Sequence, residues 1–326
     1  FVLRFVIKMS SNSGGLERLK QKLNRNIEDG NHYEAHQLYN TLFYRLGGKN
    51  LHSEAQDLVA TGAFYLFEHK KFGSAAQLCL LYVESLENHV RVVDGKRIDI
   101  LGKMHATMPK ELPELEAFES RVINWSLNIP ESPKRGTRNL RHKFAMNYWE
   151  EKLYEDSRYH FLYSGDGKAF AKMLIEFAGY RGRPEEFDLF LTQAVLQTLC
   201  LNSSDYFDDC TVVAETLFQS YVELNPKISL KRPFAYPILN FLYFLLITIK
   251  KKHLPTFTFL CEVYQPSLRR DFENIRYLEK IGQEFFGVKS QSAKPGFFEN
   301  LMQNLFVDDT PEPQDVKTTT SMTEED

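Results

Sequence analysis

Chemistry needs titratable or nucleophilic side chains that converge, and three features of this sequence invite that reading. His32 and His36 stand at i and i+4, on one face of a helix, a spacing that can ligate a metal ion. Glu34, however, is one place off the H-E-x-x-H order, and no third ligand follows nearby. The pair therefore reads as surface or interface histidines. The run Gly165-Asp166-Gly167-Lys168 looks like a phosphate loop. A P-loop needs a Gly five residues before its Gly-Lys pair and a Ser or Thr after it; here those places hold Leu162 and Ala169. A turn leading into a helix is the reading that fits. The four cysteines, Cys79, Cys200, Cys210 and Cys261, form no C-x-x-C pair. Three of them sit in apolar helical patterns, where a thiol acts as a small hydrophobe, which fits a reducing compartment better than a disulfide framework. Neither G-x-S-x-G nor G-x-G-x-x-G occurs. The expectation is a protein that is not an enzyme and that uses no cofactor and no metal.

Charge and hydropathy narrow the partners. The 326 residues carry a formal net charge of −3, which gives no whole-molecule attraction to nucleic acid or anionic lipid. The charge is uneven: residues 308–326 hold seven acids and one Lys, a net −6, which leaves the rest mildly basic at +3. Residues 307–326 read as an acidic, solvated, disordered tail with no assigned role. The basic clusters at 250–252, 134–141 and Arg269-Arg270 lack a continuous stripe with stacking aromatics, so no nucleic-acid partner is expected. One segment, 234–249, invites a membrane reading, but it contains Pro237 and Asn240. Its uninterrupted run from 241 to 249 is well short of the ~20 residues a spanning helix needs. A buried helix is the expectation, and the chain is read as not membrane-spanning. At the start, Met9 followed by Ser-Ser-Asn-Ser-Gly-Gly reads as a true start with a flexible leader over 1–14, which makes 1–8 a gene-model or fragment artefact.

The elements that must position any functional residue are helices. Strand signals are scarce, and helical periodicity runs from Leu16 onward, where Leu16, Leu19, Leu23 and Ile27 form a first stripe closed by Gly30. A repeat follows. Ala35, Ala55 and Ala75 are spaced by 20 residues, and so are Leu38, Leu58 and Leu78. About four helical turns plus a short connection take that length, and two such helices make a hairpin near the period of tetratricopeptide-like and HEAT-like arrays. The small Ala lets helices approach, and the Leu three positions on fills the neighbouring groove. Further helices are predicted over 98–108, 114–127, 140–152, from 154, and over 168–180, 184–201, 211–223, 236–250, 254–264, 272–286 and 296–306. The fold expected is all-α, an α-solenoid of tetratricopeptide-like hairpins, with an N-terminal half over 15–163 and a C-terminal half over 164–306.

Several stretches then point to a family. They are the run 30–45, from Gly30-Asn31-His32-Tyr33 to Phe43-Tyr44-Arg45; Ser157-Arg158-Tyr159-His160-Phe161-Leu162; the run 193–201; Tyr264-Gln265-Pro266-Ser267-Leu268-Arg269-Arg270-Asp271 within 260–271; and 277–288. Together, in the same order from about 15 to 306, they closely resemble the Golgi-to-ER traffic protein 4 homologues. Those are cytosolic scaffolds of the guided-entry pathway for tail-anchored membrane proteins.

The resemblance implies an α-solenoid whose N-terminal hairpins dock the targeting ATPase for tail-anchored proteins. It implies a C-terminal half that clasps a ubiquitin-like adaptor protein and, in animals, a Bag-family chaperone scaffold as a further partner. Tyr33, His36 and Glu84 match the family's ATPase-facing positions. Asn40 stands where animal relatives usually carry a basic residue, and Gln77 where the family usually has an acid, a loss that should slow association with a basic partner. For the adaptor, Phe241, Leu242, Phe244 and Leu245 are candidate groove residues, with plain core packing as the competing reading of each. The alternative function is a solenoid subunit of another cytosolic assembly, such as a proteasome-lid-like or trafficking complex.

Overall fold

The structure, a computed structural model, describes residues 14–130, 136–183, 185–201 and 210–288. It forms fifteen helices and no strand among the described residues. The chain groups into two compact units, Phe1–Lys231 and Arg232–Asp326. The first holds α1 (Gly14–Glu28), α2 (His32–Gly47), α3 (His52–Glu68), α4 (Phe72–His89), α5 (Gly95–Thr107), α6 (Glu114–Leu127), α7 (Arg138–Glu150), α8 (Tyr154–Leu162), α9 (Gly167–Arg181), α10 (Phe187–Leu199) and α11 (Cys210–Leu224). Each of these packs on its neighbours one or two places along the chain, α1 on α2, α2 on α3, α3 on α4, through to α9 on α11, which is the contact pattern of a solenoid. The expected junction at 163/164 falls between α8 and α9, which pack directly on each other. The leader, the helix predicted over 296–306 and the acidic tail lie outside the described residues.

The 20-residue repeat has a backbone cause. Gly30, Asn50 and Lys70 all adopt the left-handed conformation, with φ of 71°, 58° and 58°. The residue after each donates its N–H back across the turn to close the preceding helix: Asn31 to Asn26 C=O at 2.8 Å, Leu51 to Leu46 C=O at 3.0 Å, Lys71 to Leu66 C=O at 2.9 Å. This is the Schellman closure. The same residue's carbonyl then accepts from Ala35, Ala55 or Ala75 and so opens the next helix. One residue ends one helix and starts the next without any side-chain cap. Lys152 and Lys252, with φ of 62° and 49°, reuse the turn ahead of the helices that begin at Tyr154 and Leu254. At Lys152 the Ala place is taken by Ser157, whose hydroxyl donates to Ala145 C=O at 2.9 Å.

Side chains follow the same pitch. Ala35, Ala55 and Ala75 are fully buried, as are Leu46, Leu66 and Leu86 eleven places on. At Gly62 the helices approach closely: a Cβ there would lie 2.7 Å from the buried Tyr39 ring. Gly167 is as crowded, its Cβ position 2.6 Å from Val213 O and 2.8 Å from Leu217 N on α11. Backbone fills the space a phosphate would need, and Asp166 caps α9 by accepting from Ala169 N at 2.9 Å. The phosphate-like run is thus a capped helix start under α11.

The middle of the first unit is held by a buried polar network. Glu119 on α6 accepts from His105 Nε2 of α5 at 2.6 Å and from Tyr148 Oη of α7, and His160 Nε2 of α8 lies 3.7 Å from its other oxygen. Asn147 Nδ2 is 2.9 Å from His105 Nδ1 and donates to Gly102 C=O at 2.8 Å. Arg141, also buried, places a guanidinium nitrogen 3.4 Å from His160 Nδ1. These partners assign both imidazoles as neutral Nε2–H tautomers. Burial drives His105 down to about 4 despite the opposing carboxylate. Burial alone would raise Glu119, but the hydrogen bonds from His105 and His160 outweigh it and hold the carboxyl well below the usual range.

The second unit contains α12 (Pro237–Lys251), α13 (Leu254–Val263), the four-residue α14 (Gln265–Leu268) and α15 (Glu273–Phe286). The two residues that interrupt the apolar run of α12 are explained locally. Pro237 starts the helix, where its missing N–H costs nothing. Asn240 bonds both ways to the Phe234 backbone, accepting from its N–H at 2.8 Å and donating to its C=O at 2.9 Å. No helix among the described residues is long and apolar enough to cross a membrane.

Two outcomes follow from this packing. Gly167→Ala should destabilise by about 1–3 kcal/mol because rigid backbone must move. Gly179→Ala, in the same helix with nothing within 4 Å, should be neutral or stabilising by up to about 1 kcal/mol, and denaturant midpoints of the two variants check the contrast. The network predicts acid sensitivity. His105, depressed from 6.5 to about 4, binds its proton more readily unfolded, so stability falls as pH drops through that window. The loss is on the order of 3 kcal/mol, and Glu119 extends it below that window. His105→Gln should flatten the stability profile between pH 7 and pH 4; an unchanged slope would count against the assignment.

Candidate docking surfaces

At the N-terminal end the residues on offer come from α2, α3 and α4. Tyr33, on the first turn of α2, is 71% exposed and lines a cleft of about 430 Å³ with His32, Glu34, Lys71 and Ser74. Glu84, half-buried on α4, lines a different cleft of about 340 Å³ with Tyr44, His52, Asn88 and His89. The structure does not bring these two residues into one cleft. Of the pair read as surface or interface histidines, His36 is not at the surface: it is only 4% exposed. It stands one residue past Ala35, and its Nε2 lies 3.4 Å from the Asn40 amide nitrogen. Burial keeps its pKa below the ordinary value, hence the ring neutral. Gln77 is exposed on α4.

Two histidine pairs border the clefts, and the sequence reading missed them. His32 and His69 have ring centroids 4.6 Å apart, and His32 Nδ1 lies 3.0 Å from Tyr65 Oη. His52 and His89 stack at 3.6 Å and 19°. The second pair is the first shifted by 20 residues, so the spacing of the four histidines carried the signal. Burial, then the partner imidazole and then Lys71 or Arg91, lower the pKa of His32 and of His89. Next to Glu84, Glu87 is engaged by Arg121, whose Nε donates at 3.2 Å and whose terminal nitrogen donates at 2.5 Å. Glu84 is left as the carboxylate of this cleft.

In the second unit α12 separates its four candidates. Phe241, Leu242 and Leu245 are fully buried, whereas Phe244 is 45% exposed. A partner that leaves the fold intact reaches only Phe244 of the four. The remaining chemistry resolves into packing. All four cysteines are buried, and burial pushes the Cys261 thiol up to about 12, leaving it protonated. No group of three His, Cys, Asp or Glu side chains is placed to hold a metal ion among the described residues.

Comparison with known proteins gives these surfaces a context. A family model, Golgi to ER traffic protein 4, matches residues 49–306. The Golgi to ER traffic protein 4 homologs of Xenopus tropicalis and Homo sapiens are each 42% identical to the chain over 296 residues, 90% of this chain and 88% of each of those proteins. The Bos taurus homolog is 41% identical over 306 residues, 93% of this chain and 91% of that protein. The crystal structure of C. therm. Get4 superposes with a TM-score of 0.73 at 22% identity, over 94% of this chain and 100% of that one, and speaks for the fold alone.

The burial pattern separates docking residues from core. Phe244→Ala and Tyr33→Ala should each change stability by no more than about 0.5 kcal/mol, while Phe241→Ala should cost about 3–5 kcal/mol. Urea unfolding of the three variants decides it. A large loss at Phe244 would remove that side chain from the docking candidates.

Proposed function

The chain belongs to the Golgi to ER traffic protein 4 family, and from that premise we propose that it is a cytosolic, non-enzymatic scaffold for post-translational delivery of tail-anchored proteins to the ER membrane. It bridges a ubiquitin-like adaptor and its chaperone complex to the targeting ATPase. The observation that carries the reading is the extent of the match: residues 49–306 take in helices of both compact units, so the likeness is to the whole scaffold rather than to one hairpin repeat. Two exposed surfaces on separate units support a bridge. The ATPase meets the α2–α4 end, with Tyr33 as an aromatic anchor and Glu84 as the acid opposing a basic surface; buried His36 acts by setting the α2 face. The adaptor meets the second unit through Phe244, with Phe241, Leu242 and Leu245 as the packed floor beneath it. In animals a Bag-family chaperone scaffold joins the same assembly.

Gel filtration of the recombinant chain with the ubiquitin-like adaptor at micromolar concentration should give a stable complex, and Phe244→Asp should weaken it without unfolding the chain. Recovery of other assembly subunits and no adaptor from native extract would favour the alternative, a solenoid subunit of another cytosolic complex. For the ATPase, Tyr33→Ala should weaken binding about tenfold. Gln77→Glu should raise the association rate severalfold at low salt and lose that gain at high salt.

A further inference from the structure

The cleft that holds Glu84 sits at the ends of two helices. It takes Tyr44 from the last turn of α2, Glu84, Asn88 and His89 from the last two turns of α4, and His52 from the first turn of α3. The cleft that holds Tyr33 sits where the same two helices begin. So α2 and α4 run in the same sense from one cleft to the other, and their dipoles add. The carbonyl ends of both lie at the Glu84 cleft, each carrying a partial negative charge of about half a unit.

The side chains reinforce that polarity. Lys71 lines the cleft at the helix starts, and Glu84 lines the cleft at the helix ends. No Lys or Arg is among the described residues lining the Glu84 cleft. Arg121 is held by both oxygens of Glu87, and Arg91 donates to the Glu87 carbonyl at 3.3 Å. The cleft is thus a place where positive charge is favoured and none is supplied from within.

Its walls suit a flat cation. The Tyr44 ring is 60% exposed, and His52 and His89 present a stacked pair of imidazoles. Burial, then the partner ring, hold His89 below its ordinary pKa, which keeps it neutral at neutral pH. A guanidinium stacks on such ring faces while its N–H groups donate to a carboxylate. A lysine ammonium has the charge but neither the flat face nor the fork of donors.

We propose that the Glu84 cleft is a socket for one arginine side chain of the protein that docks at this end, with Glu84 and the Asn88 amide oxygen accepting from the guanidinium and Tyr44 and the His52–His89 pair as its walls. The proposal rests on the ATPase reading for the identity of that protein; the chemistry of the socket is tested without it.

Nuclear magnetic resonance on the full-length chain, with the His52 and His89 ring signals assigned, tests the socket with a blocked arginine, N-acetyl-arginine N-methylamide. Its neutral isostere, the blocked citrulline, is the control. At neutral pH and millimolar concentration the arginine probe should shift both ring signals saturably, and the citrulline probe should bind about tenfold more weakly. Glu84→Gln should weaken the arginine probe about tenfold and Tyr44→Ala about threefold, while Tyr33→Ala in the other cleft leaves it unchanged. Absence of an arginine-induced shift, equal binding of the two probes, or indifference to Glu84→Gln overturns the proposal. The targeting ATPase is the second arm, and Tyr44→Ala should weaken its complex about threefold. An ATPase that binds but is indifferent to Tyr44→Ala also overturns the socket. An ATPase that does not bind the unaltered chain overturns the partner reading instead, and the arginine probe still decides the socket.

Discussion

Everything in the N-terminal array depends on one backbone device: a left-handed residue followed by a residue that closes one helix with its N–H and opens the next with its C=O. It shortens the connection to a few residues and so forces consecutive helices to lie against each other. With the connection fixed, a 20-residue pitch delivers the same buried position from helix to helix, and small residues must stand where the helices come closest. Ala35, Ala55, Ala75 and Gly62 are the consequence. The left-handed conformation is unfavourable for side chains by about 1–2 kcal/mol, yet Asn50, Lys70, Lys152 and Lys252 all adopt it. Burial of the flanking helices outweighs that cost.

The array has to pass from regular hairpins to the less regular helices beyond α4, and the Glu119 network marks that passage. Four helices contribute one or more members, and each polar atom in the chain from Asn147 through His105 and Glu119 to His160 faces a partner. A network of this kind specifies one packing of α5 to α8, because any sliding of a helix would leave a buried carboxylate or imidazole unpaired. It carries no obligation to do chemistry. The neutral imidazoles are held by burial, and the carboxylate is held ionised by their N–H groups.

The two candidate docking surfaces owe their form to these constraints. At the N-terminal end the closing turns leave clefts between helix ends, where Tyr33 is exposed and Glu84 stands half-buried between the buried Val83 and Ser85. His36 is the instructive case. The resemblance offers it as a docking residue, yet it lies one residue from Ala35 and is buried with it. On α12 the run Phe241-Leu242-Tyr243-Phe244-Leu245 reads as one apolar block, but a helix turns 100° per residue and leaves Phe244 on the outside.

Apolar periodicity in the sequence by itself determined the helical class, the placement of most helices to within a few residues, and the hairpin pitch, because that periodicity is the direct imprint of burial on one face. The family resemblance came instead from particular residue runs such as 264–271, and no catalytic motif was recognisable in the sequence. Periodicity did not disclose where the helices of the array begin, since Leu51, Lys71 and Leu153 are poor capping residues and the closure there uses backbone alone. Nor could it reveal the Glu119 network, whose contacting side chains are 14 to 42 residues apart in the chain and meet only through packing. Which of several apolar or polar neighbours faces outward was likewise decided by tertiary structure. Pattern limits a side chain to a face, but only the neighbouring helices determine whether that face is covered.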